Sequence, residues 1–205
     1  ATADTIVWSS GSQENRREFA PLPRSGDEAE TVRRIFDGDA LLGSAASASA
    51  FLERCGAYRL LHLATHAQAN PRRADRACLA FAAPADSAGT GLIFTTDLYG
   101  QALNADLVVL SACETGIGKT LRGEGVVSLA RAFAAAGAKS IVHSLWVVND
   151  DATTRLMDGF YSALYRSTPK DEALQQSKLS FLATAAPRRQ HPFFWAGFIA
   201  TGDIQ

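Results

Sequence analysis

A bias of charge is what this sequence most lacks. Its 20 lysines and arginines stand against 21 aspartates and glutamates, a formal net charge of −1 over 205 residues. No long-range field therefore draws the chain to nucleic acid or an anionic bilayer, and no direct nucleic-acid partner is expected. Arg72, Arg73 and Arg76, or Arg188 and Arg189, are the candidate basic patches, and they read more simply as solvated loop charge. No apolar run approaches the roughly 20 residues that cross a bilayer, and there is no secretory start, so no membrane span is expected. Cysteine is scarce. Cys55, Cys78 and Cys113 cannot all pair and show no metal-ligand spacing, which points to a reducing, cytoplasmic setting with no metal and no cofactor. The chain opens on Ala1 rather than methionine and reads as a piece of something longer.

What is present is enough apolar sequence for one core: 47% of the residues are hydrophobic, and one domain is the default at this length. The chain is organised around residues 106–131. Leu107 to Leu110 is an uninterrupted apolar run suited to a strand buried on both faces of a parallel sheet. Apolar character stops at Cys113. Gly116, Gly118, Gly123 and Gly125 then make a turning loop before an alanine-rich helix. A thiol thus stands at the carboxyl end of a central strand, where open α/β sheets hold their ligand crevices.

Before that stretch, Ala1 to Arg24 reads as an extended lead-in with Ile6-Val7-Trp8 as a short strand. A helix over Gly26–Phe36 follows, its acidic start and basic end matched to the helix dipole. Ala40 to Leu42 is a brief strand, and Ser47 caps a second helix that stops at Gly56. Tyr58 to Thr65 is a strand ending at His66, and Ala67 to Arg76 is expected as loop. Ala77–Ala82 and Leu92–Phe94 read as hairpin strands, and Thr95 or Thr96 caps a helix through Leu103.

After the central loop, Val126–Ala136 is apolar on nearly every face and is expected to be covered on both sides. Ser140–Trp146 is a strand, Asn149 to Asp151 start a helix to Tyr165, Pro169 opens another to about Thr184, and Phe193–Ala200 is a late strand. Strands alternating with helices define an α/β fold, a mainly parallel central sheet with helices on both faces.

If the Tyr58 and Leu107 strands are parallel neighbours about 4.8 Å apart, His66 and Cys113 project from adjacent strand ends into one crevice. A thiol needs a base to become a competent nucleophile, and imidazole supplies one. The plainer alternative makes Cys113 a core residue and His66 a hydrogen-bonded loop residue. His62, His143, Cys55 and Cys78 read as packing residues. Gly118-Lys119-Thr120 resembles the end of a phosphate-binding loop, but the motif requires glycine where Cys113 stands, and the helix starts too late to hold phosphates.

His62-Leu-Ala-Thr-His66, Asp106-Leu-Val-Val-Leu-Ser-Ala-Cys-Glu-Thr-Gly116, Arg122-Gly-Glu-Gly-Val126, Ser144-Leu-Trp146 with Asn149-Asp150, and His191-Pro-Phe-Phe-Trp-Ala196 together resemble the CHAT-domain family. That family belongs with the caspase-like (clan CD) cysteine peptidases. The resemblance runs from about Phe19 to Asp203, dividing the chain into a lead-in over 1–18 and a domain over 19–205.

It implies a caspase-like sandwich and a cysteine endopeptidase acting through an acyl-enzyme. His66 is then the general base and Cys113 the nucleophile, with backbone amides of Cys113 and Ala67 as oxyanion donors. Ala67 stands where the family usually has glycine, a departure expected to restrict the backbone and to set a methyl beside the scissile carbonyl. Ser111, Asp150 and Asp151 are implied as substrate-pocket positions favouring a basic side chain, although two carboxylates at a helix start also suit the dipole. The implied partners are a protein or peptide substrate and an activating partner or fused repeat or sensor domain. A catalytically idle CHAT domain used for protein interaction is the alternative, and a nucleotide binder a distant third.

Overall fold

The computed structural model describes residues 4–9, 22, 24–68, 74–82, 91–111, 124–146 and 148–204. In chain order these hold β1 (Thr5–Ser9), α1 (Ser25–Phe36), β2 (Asp39–Leu42), α2 (Ala48–Arg54), β3 (Leu60–Ala64), β4 (His66–Gln68), β5 (Cys78–Ala80) and β6 (Leu92–Phe94). There follow α3 (Thr95–Leu98), β7 (Leu107–Leu110), α4 (Glu124–Ala135), β8 (Ser140–Ser144), α5 (Asp150–Tyr165), α6 (Lys170–Thr184) and β9 (Phe198–Gly202). Among the described residues six strands form one sheet in the order β2-β1-β3-β7-β8-β9, and β4-β5-β6 form a second. Neighbours in the large sheet are parallel except for β9, which runs antiparallel to β8.

Successive side chains of a strand leave on opposite faces, and this sorts the apolar residues into two cores. Ile6 and Trp8 of β1, Leu61 and Leu63 of β3, Val108 and Leu110 of β7, and Ile141 of β8 pack on one face with Phe51 of α2, Leu98 of α3, and Leu129 and Phe133 of α4. Val7, Val109 and Val142 leave on the other, against Val32 of α1, Leu156 and Phe160 of α5, and Phe181 of α6. Helices thus cover both faces, and β7 is apolar throughout because neither side meets water.

Local chemistry sets several element ends. Ser47 Oγ accepts from the Ala50 N–H at 3.2 Å and caps α2, and Asn149 Oδ1 accepts from the Ala152 N–H at 3.4 Å at the start of α5. Gly137 closes α4 at φ 114°, and a Cβ there would stand 2.5 Å from the Leu103 carbonyl oxygen. Only glycine fits both demands.

Some elements differ from expectation. Thr5–Ser9, read as a short strand within a lead-in, is an interior strand of the large sheet, flanked by β2 and β3 and fully buried. The loop expected from Ala67 gives way at its start to β4. Thr95 is the first residue of α3, which ends at Leu98, and the carboxylate of Asp97 accepts from the Phe94 N–H at 2.8 Å. Helix α4 is covered on one side only: Arg131, Ala134 and Ala135 face solvent. Alanine is indifferent to burial, so its abundance reports helix propensity rather than cover. Pro192–Phe194 is a single helical turn, which moves the last strand to Phe198–Gly202.

Candidate functional site

The site begins where β3 ends. Its ladder with β7 pairs Leu60 with Leu107 and Leu63 with Leu110, and the Ser111 N–H carries it one step further by donating to the Leu63 carbonyl at 3.1 Å. At Thr65 the chain bends out of the large sheet, and the Thr65 hydroxyl donates to the Ala80 carbonyl of β5. His66 then opens β4 opposite Ala80, only 6% exposed. It is a strand residue braced by the second sheet, not a loop residue.

Ala67 is buried among the core residues of the α2–α4 side, and its φ is not positive. The alanine therefore demands no left-handed backbone here, and its methyl packs into the core. The backbone restriction expected of this replacement of glycine therefore does not arise. Cys113 and Lys119 lie outside the described residues. Cys55 and Cys78 are both buried. Burial pushes the Cys55 thiol up to about 11, so it is inert near neutrality. His143 is buried within β8, and burial lowers its pKa.

Beside the ends of β3 and β7 lies a small cleft, lined among others by Arg24, Glu28, Ala64, Ser111, Asp150 and Thr153. Two of the three sequence-derived pocket positions, Ser111 and Asp150, therefore meet in one cleft. The third does not line it. Asp151 is held by Arg24 at 3.0 Å and by Arg189 at 3.4 Å.

Burial first, then the charges of Glu28 and Asp151, hold the Asp150 carboxyl above its usual range, against the opposing pull of Arg24. A carboxyl raised on folding contributes its stability fully below the unfolded pKa and loses it as pH rises through the folded value. At neutral pH the Asp150 charge opposes folding. Asp150→Asn is accordingly expected to raise Tm near pH 7, with the gain fading toward about pH 4. Paired thermal melts check this, and a lower Tm near pH 7 contradicts it.

Glu28, His62 and Tyr161 complete the wall of the cleft and the layer behind it. Glu28 belongs to the first turn of α1 yet is only 5% exposed. Its Oε1 stands 3.2 Å from His62 Nε2, but the two are not aligned for hydrogen bonding, and neither atom has a hydrogen-bond partner among the described residues. On the other side of the ring, His62 Nδ1 lies 2.6 Å from Tyr161 Oη. Burial above all, and then the Glu28 charge, raise the Tyr161 pKa well above its ordinary value, so the phenol stays protonated. Sequence reasoning took Glu28 for dipole-matching charge and His62 for a packing residue. The available signal was helical spacing: Glu28 precedes Val32 by four and Ile35 by seven, which sets a carboxylate on the apolar stripe.

The fold is similar to that in the crystal structure of the Arg-specific cysteine proteinase gingipain R, with a TM-score of 0.59 at 10% sequence identity, covering 99% of this chain and 46% of that one. The complex of the Porphyromonas gingivalis RgpB pro- and mature domains gives a TM-score of 0.57 at 9% identity, over 99% of this chain and 48% of that one. The family model of the CHAT domain matches residues 3–203, and the chain belongs to that family. Among curated proteins it is similar to tetratricopeptide repeat protein 28. The mouse protein is 33% identical over 112 residues, which is 55% of this chain and 4% of that protein. The human protein is 26% identical over 219 aligned positions, 90% of this chain and 9% of that protein. The chain thus spans less than a tenth of the length of these relatives. Among the described residues no helix is long and apolar enough to cross a membrane.

Proposed function

We propose that this chain is a cysteine endopeptidase in which Cys113 is the nucleophile and His66 the general acid and base. The registry of β3 against β7 carries the proposal. Leu63 pairs with Leu110, and three further residues along each chain lead to His66 and to Cys113. Three residues span at most about 11 Å, a reach that supports reading His66 and Cys113 as a pair. His66 is anchored by β5, a rigid mount for a base.

In this mechanism the Cys113 thiolate attacks the scissile carbonyl carbon, and the amides of Cys113 and Ala67 hold the oxyanion. The C–N bond breaks as His66 donates its proton to the leaving amine. Water, deprotonated by His66, then cleaves the thioester, releases the new carboxylate and restores the thiol. Ser111 and Asp150 line the substrate pocket, and Asp151 restrains Arg24 at its edge. The chain's short share of its repeat-named relatives supports action beside a fused tetratricopeptide repeat module, with a protein or peptide as substrate and a partner as activator.

Incubation of the chain with a proteome-derived peptide library, read by mass spectrometry, tests the activity. New carboxyl termini that vanish in both Cys113→Ala and His66→Ala support it. Termini that persist in either variant sink it, and no new termini under any activating condition favours an idle interaction domain.

A further inference from the structure

We infer that the cleft between α1, α5 and the ends of β3 and β7 binds a single water molecule, which ties Glu28, Ser111 and Thr153 together and so positions the chain just before Cys113. The positioning role rests on the peptidase reading, but the binding site stands on its own observations. Three side-chain oxygens of the lining, Glu28 Oε1, Ser111 Oγ and Thr153 Oγ1, are buried and have no hydrogen-bond partner among the described residues. Buried polar atoms are almost always paired, and leaving one unpaired is costly. The free space within the cleft is that of about one water, and a buried water makes about three hydrogen bonds to such groups. Three orphaned oxygens around a water-sized space define its occupant.

Other polar groups of the lining already have partners. Ser25 Oγ donates to the Leu22 carbonyl at 2.8 Å and accepts from the Ser9 hydroxyl at 2.9 Å, and Arg24 is engaged by Asp151 at 3.0 Å. Next to Thr153, the Thr154 hydroxyl donates to the Asp150 carbonyl one helical turn back at 2.9 Å. Thr153 makes no such bond within its helix, which leaves its hydroxyl to serve the cleft. Donors and acceptors then balance: the water donates to the Glu28 carboxylate and to one hydroxyl and accepts from the other. A metal ion suits the site less. Calcium and magnesium ions take about six or more oxygen ligands, and among the described residues no cluster of histidine, cysteine, aspartate and glutamate could hold one.

The water gives Ser111 a second anchor. Its N–H donates to the Leu63 carbonyl of β3 at 3.1 Å, which fixes the backbone, and its hydroxyl reaches α1 and α5 through the water. Cys113 follows two residues later. Glu28 is itself held from behind: His62 Nε2 lies 3.2 Å from its carboxylate, and the Tyr161 hydroxyl at 2.6 Å fixes the ring from its far side. Glu28 and Thr153 are accordingly positioning residues, acting on the thiol only through the water and Ser111.

The test is a high-resolution crystal structure of the full chain, joined to iodoacetamide alkylation of Cys113. One density peak is expected, about 2.7–3.2 Å from the oxygens of Glu28, Ser111 and Thr153. Thr153→Val combined with Ser111→Ala leaves one partner, fewer than the roughly two to four a buried water needs, and should lose the peak. Glu28→Gln should keep it, since a neutral oxygen also accepts from water, whereas a bound cation would leave with the charge. If Glu28→Gln fails to fold, contact lengths make that distinction, a calcium ion standing about 2.3–2.6 Å from its oxygens. In solution, Thr153→Val should lower the Cys113 alkylation rate by about three- to tenfold, the equivalent of one hydrogen bond, and Thr153→Ser should restore it. A merely space-filling Thr153 predicts the reverse order, because valine matches threonine in size and serine does not. No peak, a peak with cation contacts, a peak that survives the double variant, or a Cys113 rate untouched by Thr153→Val overturns the inference. The peak depends on no catalysis: a peak in a chain whose Cys113 titrates as an ordinary thiol keeps the water and loses the peptidase, while an activated Cys113 without the peak keeps the peptidase and loses the water.

Discussion

Cys113→Ala is expected to reduce cleavage of a true substrate to background, and His66→Ala to lower the rate by about 10²- to 10⁴-fold, the range general acid–base catalysis supplies. The two losses should not add, because nucleophile and base act as one unit and removing either disables both. The double variant should therefore be no slower than Cys113→Ala alone. His66 is buried in β4, so its truncation also leaves a small cavity, and the rate must be read on protein shown to be folded. Single-turnover rates on one peptide found in the library screen provide the measurement. Additive losses, or a His66→Ala rate within about threefold of wild type, contradict the dyad, since a working base is worth far more than that.

The second large effect is on stability. Trp8 is fully buried at the centre of the α2–α4 core, edge-to-face with Phe51 at 5.2 Å and with Tyr58 at 6.5 Å. Phe51 in turn meets Phe81 and Phe133. Trp8→Ala is expected to cost about 3–5 kcal/mol from lost burial and the cavity left behind, a large share of the roughly 5–15 kcal/mol that holds a typical domain folded. Trp8→Phe should cost much less. It keeps an aromatic edge and deletes Nε1, which has no hydrogen-bond partner among the described residues. Urea unfolding at matched m-values measures both. A Trp8→Ala loss below about 1 kcal/mol would show β1 to be peripheral, in conflict with a full core truncation.

Much of the frame was legible because its residues obey simple periodicities. The apolar run Leu107–Leu110 suits a strand covered on both faces, and Ser47 and Asn149 announce helix starts through the hydrogen bonds their side chains make. Partnership was harder to read. Five residues over Thr5–Ser9 carry no sign of which strands flank them, so an interior strand looks like a lead-in. Three residues over His66–Gln68 are too short for alternation to register, and only their pairing with β5 makes them a strand.

The candidate site divides in the same way. Strand ends led to His66 and Cys113, and the family resemblance implied Ser111, Asp150 and Asp151 as pocket positions. Spacing alone could not separate Asp150 from Asp151, since both stand at the start of α5. Their difference is tertiary: Arg24 and Arg189 reach one and not the other. Glu28 escaped because a carboxylate in the first turn of a helix already has a sufficient local reason to be there. Its burial follows from how α1 seats against β3, α5 and the His62 ring.

One measurement bears most directly on whether Cys113 and His66 form a working pair. Iodoacetamide alkylation, resolved by residue with mass spectrometry, gives a rate against pH for each thiol. The account predicts a Cys113 rate that persists well below the ordinary thiol pKa of about 8.5 and falls at low pH in His66→Ala, while Cys55, whose thiol is pushed up to about 11, stays slow in both. A Cys113 profile that follows an ordinary thiol, identical in wild type and His66→Ala, would contradict it.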